Sequence, residues 1–281
     1  MQEGRFSRTA HRVATRRAAH QLLDEPKVLD DPLALRIIGV EAAHELRSNP
    51  KENHAFSRAF RAFMAVRSRY AEDELARAAA QGVAQYAVLG AGLDTFAYRN
   101  PYPGLRVFEV DHPATQEWKR ERLLAAHIAI PASLTFVPID FEHQTLAIGL
   151  QQSGLDTKAA AFFSWLGVTP YLTREACIST LRFIAGMPAN SGVVFDFAVE
   201  PALLNPGQRQ ALDALSERVA RYGEPFQLFF DPAKLRDDLK DLGFRRTEFL
   251  QGKDLNARYF KDRKDGLQVR GSIGHLMAAW V

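Results

Sequence analysis

Cysteine is nearly absent. Cys177 stands alone among the 281 residues, so no intramolecular disulfide can form and no cysteine-based zinc centre can be assembled. That scarcity fits a reducing compartment, and a cytoplasmic location is expected. The eight histidines never fall at His-Glu-x-x-His or a comparable ligand spacing, so no metal is expected either. Neither sign of charge dominates. The 36 Lys and Arg against 33 Asp and Glu leave a net charge of +3, too little and too dispersed to point to nucleic acid. Long apolar runs are missing as well. The best candidate, from Ala159 to Leu172, is broken by Ser164, Gly167, Thr169 and Pro170 and falls short of the ~18 residues that read as a membrane span. Arg5, Arg8, Arg12, Arg16 and Arg17 against the single acid Glu3 give the start of the chain the composition of a transit peptide. The segment nevertheless runs without a break into a helix of the fold, which argues against a targeting role.

What is present is a change of pattern near residue 80. The first part reads as helical: a helix from Arg8 to Leu23 ended by Glu25-Pro26, another begun by Asp31-Pro32, and a long one from Phe56 to Ala80. From Tyr86 onward, short apolar runs alternate with helical stretches. The runs are Tyr86 to Leu89, Arg106 to Val110, Leu134 to Ile139, Ala160 to Trp165 and Val193 to Val199. Helices are predicted at Ala114 to His127, Thr145 to Gln152, Arg174 to Gly186, Gln208 to Tyr222 and Pro232 to Leu242, with closing strands at Phe244 to Leu250 and Gly271 to Trp280. Continuous apolar strands separated by helices predict an α/β fold, a doubly wound parallel sheet with both faces covered. The organisation expected is a helical lid over residues 1–80 on a Rossmann-like domain over 81–281, forming one unit.

The stretch Val88-Leu89-Gly90-Ala91-Gly92-Leu93-Asp94-Thr95 directly follows the first strand. Gly90 permits a tight turn and Gly92 lets a ligand approach the backbone. A dinucleotide fingerprint would carry a third glycine where Thr95 stands. Asp94 beside it repels phosphate and suits a cationic, amino-bearing ligand. S-adenosylmethionine has that chemistry: a sulfonium, an ammonium and no phosphate. Strand two ends in Asp111-His112-Pro113, where a carboxylate either accepts from two ribose hydroxyls or caps the following helix. Glu109, two residues earlier, is the second choice for the ribose. Strand three ends in Asp140-Phe141, where Asp140 either accepts from an adenine amino group, with the Phe141 N–H beside it, or caps the helix near residue 145.

Arg67 sits on the wrong face of its helix. Phe56, Phe60, Phe63 and Tyr70 form an apolar stripe and Arg67 lies within it, with only Phe63, Met64, Tyr70 and Ala71 three and four residues away. Arg69 can reach Asp73 on the solvent side. A guanidinium turned toward a core needs an anion, either a ligand carboxylate or a distant Asp or Glu, unless it snorkels to water.

Together these segments resemble the leucine carboxyl methyltransferase-like family, in particular its bacterial branch of S-adenosylmethionine-dependent O-methyltransferases. The resemblance runs through Ser7-Arg8-Thr9-Ala10, Asp30-Asp31-Pro32-Leu33-Ala34, Arg67-Ser68-Arg69-Tyr70, Leu89 to Thr95, Glu109 to Pro113, Asp140-Phe141 and Ala257-Arg258-Tyr259-Phe260. It implies a class I methyltransferase fold of seven strands, the last antiparallel. It also implies roles: Arg67 for the methionine carboxylate, Gly90 for the cofactor loop, Asp111 for the ribose, Asp140 and Phe141 for the adenine. Arg17 matches a basic cofactor contact more loosely. The pattern departs at Trp165-Leu166-Gly167, where such proteins often carry glutamate in place of Leu166; Asp94 is the acid considered as its substitute. The expected acceptor is a small molecule bearing a carboxylate or hydroxyl, with Tyr171 positioned to hydrogen-bond it and Arg258 and Tyr259 as lesser candidates. The rival readings are a nicotinamide-dependent oxidoreductase and a non-catalytic nucleoside-binding protein.

Overall fold

The apolar runs become strands because each is flanked by a turn-former and a helix that covers it. In the computed structural model, residues 7–139, 144–221, 223–271 and 273–281 are described. Four helices come first: α1 (Arg8–Leu23), α2 (Ala34–Ile38), α3 (Val40–Ser48) and α4 (Ala55–Ala80). The alternating part follows as β1 (Gln85–Leu89), β2 (Arg106–Asp111), α5 (Pro113–Ala125), β3 (Leu134–Pro138), α6 (Leu146–Gln152), β4 (Phe162–Trp165), α7 (Arg174–Ala185) and β5 (Gly192–Ala198). The chain closes with α8 (Pro206–Ala220), α9 (Pro232–Leu242), β6 (Arg246–Leu250), α10 (Gly252–Tyr259) and β7 (Gly274–Trp280).

The seven strands form one sheet in the order β3-β2-β1-β4-β5-β7-β6. The pairs from β3 through β5 are parallel, whereas β7 runs antiparallel to both β5 and β6. This is the class I methyltransferase arrangement, with the last strand reversed. Alternation along each strand divides the core into two layers. Tyr86, Val88, Phe162, Val194, Leu276 and Ala278 pack on one face against Ala62, Val66, Tyr70 and Leu75 of α4 and Leu255 of α10. Ala87, Leu89, Phe163, Phe195, Met277 and Ala279 pack on the other against α6, α7 and α9. A third cluster joins α1, α2 and α3 to Leu93 and Leu123.

Local chemistry sets the helix ends. The Ser7 side chain accepts from the Ala10 N–H, Thr173 does the same for α7, and Asn205 with Gln208 forms a capping box at α8. Asp31-Pro32 opens only a turn before the five-residue α2. The Asp31 carboxylate accepts from the Leu33 N–H and is then drawn toward β1. α3 and α10 are elements the sequence pattern did not announce: α3 starts at Gly39, held at φ 91°, and α10 follows β6 without an intervening loop. The apolar stripe of α4 is also narrower than expected. Phe56 is 51% exposed and stacks on Phe60, whereas Arg61 is buried. No described helix is long and apolar enough to cross a membrane.

Candidate functional site

Reversal of strand order between β1 and β4 opens a crevice at their carboxyl ends, the usual place for a ligand in an open α/β sheet. A cavity of about 690 Å³ lies there, within the range of small-molecule sites. The glycine turn, Asp111, Arg17 of α1, Arg67 of α4, the Leu166–Val168 segment and Tyr171 line it.

The glycine turn forms the inner wall. Gly90 has φ 69°, and a Cβ there would lie 2.2 Å from Val168 Cγ2, so both conformation and space demand glycine. Gly92 has φ 47°, and its missing side chain lets Ala10 of α1 close over the turn. Asp111 Oδ2 accepts from the Gly92 N–H at 2.6 Å and Oδ1 from the His112 N–H at 2.7 Å. Burial pushes the Asp111 carboxyl upward against those two donors. Each oxygen retains lone-pair capacity for a further donor. Glu109, the second choice, is buried instead in an ion pair with Lys119 at 2.6 Å; burial pushes it up to about 7 despite that partner, and it does not line the cavity.

No α-helix follows the glycine turn. Thr95 leads into the short 3-10 turn Phe96–Tyr98. Thr95 Oγ1 donates to Asp31 Oδ2 at 2.6 Å, and Arg17 binds Asp94 Oδ2 and the Leu93 carbonyl, each at 2.9 Å. Burial works to raise the Asp94 carboxyl, but Arg17, Lys119 and Arg99 outweigh it and hold it low. The helix N-terminus that would receive a pyrophosphate is missing. Its place is taken by an ionic lock between α1, the α2 approach and the turn.

The opposite wall is built on Arg67. Its Nη1 donates to Asp196 Oδ2 of β5 at 2.7 Å, while Nε is buried without a partner. The guanidinium lies over Gly167 (φ 75°), where a Cβ would come within 2.9 Å of Nη2. Asp196 Oδ1 also accepts from the Gly167 N–H at 2.5 Å. The distant-acid partner considered for Arg67 therefore exists, and Arg67 still faces the cavity. Asp196 is the acid at this corner; Asp94 is engaged with Arg17, and Leu166 adds only apolar wall. A lone acid inside the run Val193-Val194-Phe195-Asp196-Phe197-Ala198-Val199 was the available signal for Asp196.

Tyr171 closes the 3-10 turn Thr169–Tyr171. Burial raises its phenol to about 12, and its hydroxyl lies close to Thr9 of α1. The Thr9 hydroxyl in turn donates to Glu224 Oε2. Neither Thr9 nor Glu224 stood out in the sequence, because a single polar residue at a helix start or in a loop has no distinguishing pattern. Asp140 and Phe141 lie outside the described residues; Ile139, just before them, lines the cavity. Arg258 and Tyr259 are not part of the wall: Arg258 binds Glu248 at 2.5 Å and Tyr259 donates to Asp73 at 2.8 Å.

Residues 10–185 match the family model described as leucine carboxyl methyltransferase. The chain is 32% identical, over 99% of both chains, to the Bacillus subtilis (strain 168) protein named "Putative S-adenosyl-L-methionine-dependent methyltransferase YktD". A Saccharopolyspora erythraea protein named as a methyltransferase of the same dependence is 29% identical, covering 96% of this chain and 94% of its own length. Among solved structures, a protein from Thermobifida fusca YX described as a putative methyltransferase superposes with a TM-score of 0.58 at 15% identity, over 99% of this chain and 96% of the other.

Proposed function

Because the chain belongs to the leucine carboxyl methyltransferase family, we propose that it moves the methyl group of S-adenosylmethionine to an oxygen, carboxylate or hydroxyl, of a small molecule. The observation that carries this reading is the half-used guanidinium of Arg67. Arg67 lines the cavity and only its Nη1 has a side-chain partner among the described residues, and such an under-used guanidinium gains most from an incoming carboxylate. The same cavity offers Asp111 and the Gly90 turn at the tips of β1 and β2, which suits a ligand with a carboxylate at one end and a ribose further along. The donor set fits S-adenosylmethionine. Arg67 would take its carboxylate, Asp111 the ribose hydroxyls, and the Gly90 turn would give the close backbone approach. Asp140 and Phe141 are proposed for the adenine on the family resemblance.

The bound cofactor supplies a methyl group made electrophilic by the positive sulfur to which it is attached. The protein's own task is to hold an acceptor oxygen in line with that methyl and keep water away, and positioning of this kind is worth roughly 7–11 kcal/mol. Tyr171, which lines the cavity near Thr9, is proposed to hydrogen-bond the acceptor. The α1 helix, pressed onto Gly92 through Ala10, supports a lid role for the first 80 residues over a Rossmann-like body. We place the protein in the cytoplasm on the strength of its one buried cysteine, Cys177.

Two measurements test the reading. Calorimetry with S-adenosylmethionine and with NAD is expected to show uptake of the first alone; the Thr95–Asp31 lock where a phosphate site needs a free turn argues against the second. Incubation with methyl-labelled cofactor and a cell extract is expected to label a small molecule. Uptake of NAD in place of the methyl donor would return the oxidoreductase. Nucleoside uptake without any transfer would leave a binding protein.

A further inference from the structure

The cavity wall carries a carboxylate, Glu224, that the proposed cofactor contacts do not use. We infer that Glu224 is the general base of the reaction and that the acceptor group is therefore a neutral hydroxyl, not a carboxylate; this rests on the proposed O-methyl transfer and narrows its substrate class.

Three observations converge on Glu224. First, it lines the cavity near Tyr171. Second, it is held by one oxygen only. Oε2 receives the Thr9 hydroxyl, and Oε1 takes no hydrogen bond from any described residue. Its loop is anchored to the Tyr171 turn, since Gln227 donates from its backbone N–H to the Pro170 carbonyl at 2.7 Å and from its side chain to the Tyr171 carbonyl at 2.8 Å. A carboxylate fixed at one oxygen and open at the other is the arrangement a base needs. Third, the charges are wrong for an anionic acceptor. Among the described lining residues the only arginines are Arg17, paired with Asp94, and Arg67, which the reading above gives to the cofactor's own carboxylate; there is no lysine. A second carboxylate brought next to Glu224 would meet a like charge with no arginine or lysine of the protein left to offset it.

In the step this implies, the acceptor O–H proton passes to Glu224 Oε1 as the acceptor oxygen bonds the methyl carbon. The carbon–sulfur bond breaks and its electron pair stays on sulfur, so the cationic sulfonium becomes a neutral thioether and the carboxylate a neutral acid. Tyr171 donates a hydrogen bond from its phenol to the acceptor oxygen and so orients it. Thr9 is a positioning residue.

The test reads the linkage of the transferred methyl, so the acceptor need not be known in advance. Wild-type protein, methyl-labelled cofactor and cell extract are incubated, and the labelled product is treated with dilute alkali and separately with hydriodic acid. The inference expects alkali-stable label that hydriodic acid releases as methyl iodide, the behaviour of a methyl ether. Alkali-labile label, the mark of a methyl ester, overturns the inference and leaves O-methyl transfer standing. Label in neither class, with cofactor uptake intact, overturns both. On the purified acceptor, Glu224→Gln is expected to lower kcat about 100-fold or more, while the dissociation constant for S-adenosylmethionine stays within about twofold. An unchanged kcat overturns the base assignment. Thr9→Val is expected to lower kcat about 10-fold and Thr9→Ser to restore it, which a merely structural contact would not require. If Glu224→Gln does not fold, the wild-type linkage still decides.

Discussion

Arg61 and Arg67 lie less than two turns apart on α4, and both are buried, at 1% and 5% exposure. Arg61 is saturated. Its Nε and Nη2 grip the two oxygens of Asp24 at 2.6 and 2.8 Å, and Nη1 donates to the Glu52 carbonyl at 2.9 Å. His20 completes the set, donating to Asp24 from Nδ1 while Nε2 accepts from the Val28 N–H. Arg67 spends one nitrogen on Asp196 and leaves Nε unpartnered at a cavity. Burial alone does not separate a structural arginine from one waiting for a ligand; the fraction of its donors already in use does.

The most damaging way to test that contrast is to remove the saturated arginine. Arg61→Met strands the buried Asp24 carboxylate and is expected to cost about 3–5 kcal/mol of stability, read by denaturant unfolding. The effect should shrink in acid. Burial pushes the Asp24 carboxyl up, but hydrogen bonds from Arg61 and His20 outweigh it and hold the group below its ordinary range. A carboxyl held low in the folded chain adds stability above its unfolded value and loses it as pH falls through the folded value. The variant lacks that contribution at every pH, so the stability gap between it and the wild type is expected to close as Asp24 is protonated.

Arg67→Met should act on the ligand more than on the fold. Losing a charged hydrogen-bonding partner is worth about 1.5–3 kcal/mol, a 10- to 100-fold rise in the dissociation constant for S-adenosylmethionine by calorimetry. Affinity within twofold of the wild type would end the carboxylate assignment, and a stability loss as large as that of Arg61→Met would erase the contrast. A smaller effect is expected from Gly90→Ala. A left-handed φ of 69° and a clash with Val168 cost about 1–3 kcal/mol, divided between a lower melting temperature and weaker cofactor uptake.

The sheet was legible because strands buried on both faces must be continuous apolar runs, and the seven expected runs became seven strands, with ends shifted by up to three residues. α3 and α10 were not legible, since short helices held by tertiary contacts carry little periodic signal. The site divides in the same manner. Arg67 was found because no acid lies three or four residues away, yet Ser57, Arg58, Met64 and Ala65 give Arg61 the same local signature. Their opposite roles depend on whether the anion comes from the end of α1 or from β5, a fact of tertiary structure that helix periodicity does not encode. Asp196 was not read from the sequence, although the apolar run around it carried the signal. Glu224 sits in a loop with no period, so only its neighbours in space reveal it.

The same measure of saturation sets the smallest prediction. Tyr171 lines the cavity, and its hydroxyl donates to no described residue. Burial raises that phenol to about 12, so it stays protonated across neutral and mildly alkaline pH and can donate a hydrogen bond but not serve as a base. Tyr171→Phe should therefore cost one neutral hydrogen bond, about 0.5–1.5 kcal/mol, or roughly 2- to 10-fold in kcat/KM, with cofactor affinity unchanged. A fall of about 100-fold or more would mean that proton transfer runs through the phenol. In that event the free hydroxyl would be chemical rather than orienting, and counting free donors would have to give way to following the proton at Tyr171.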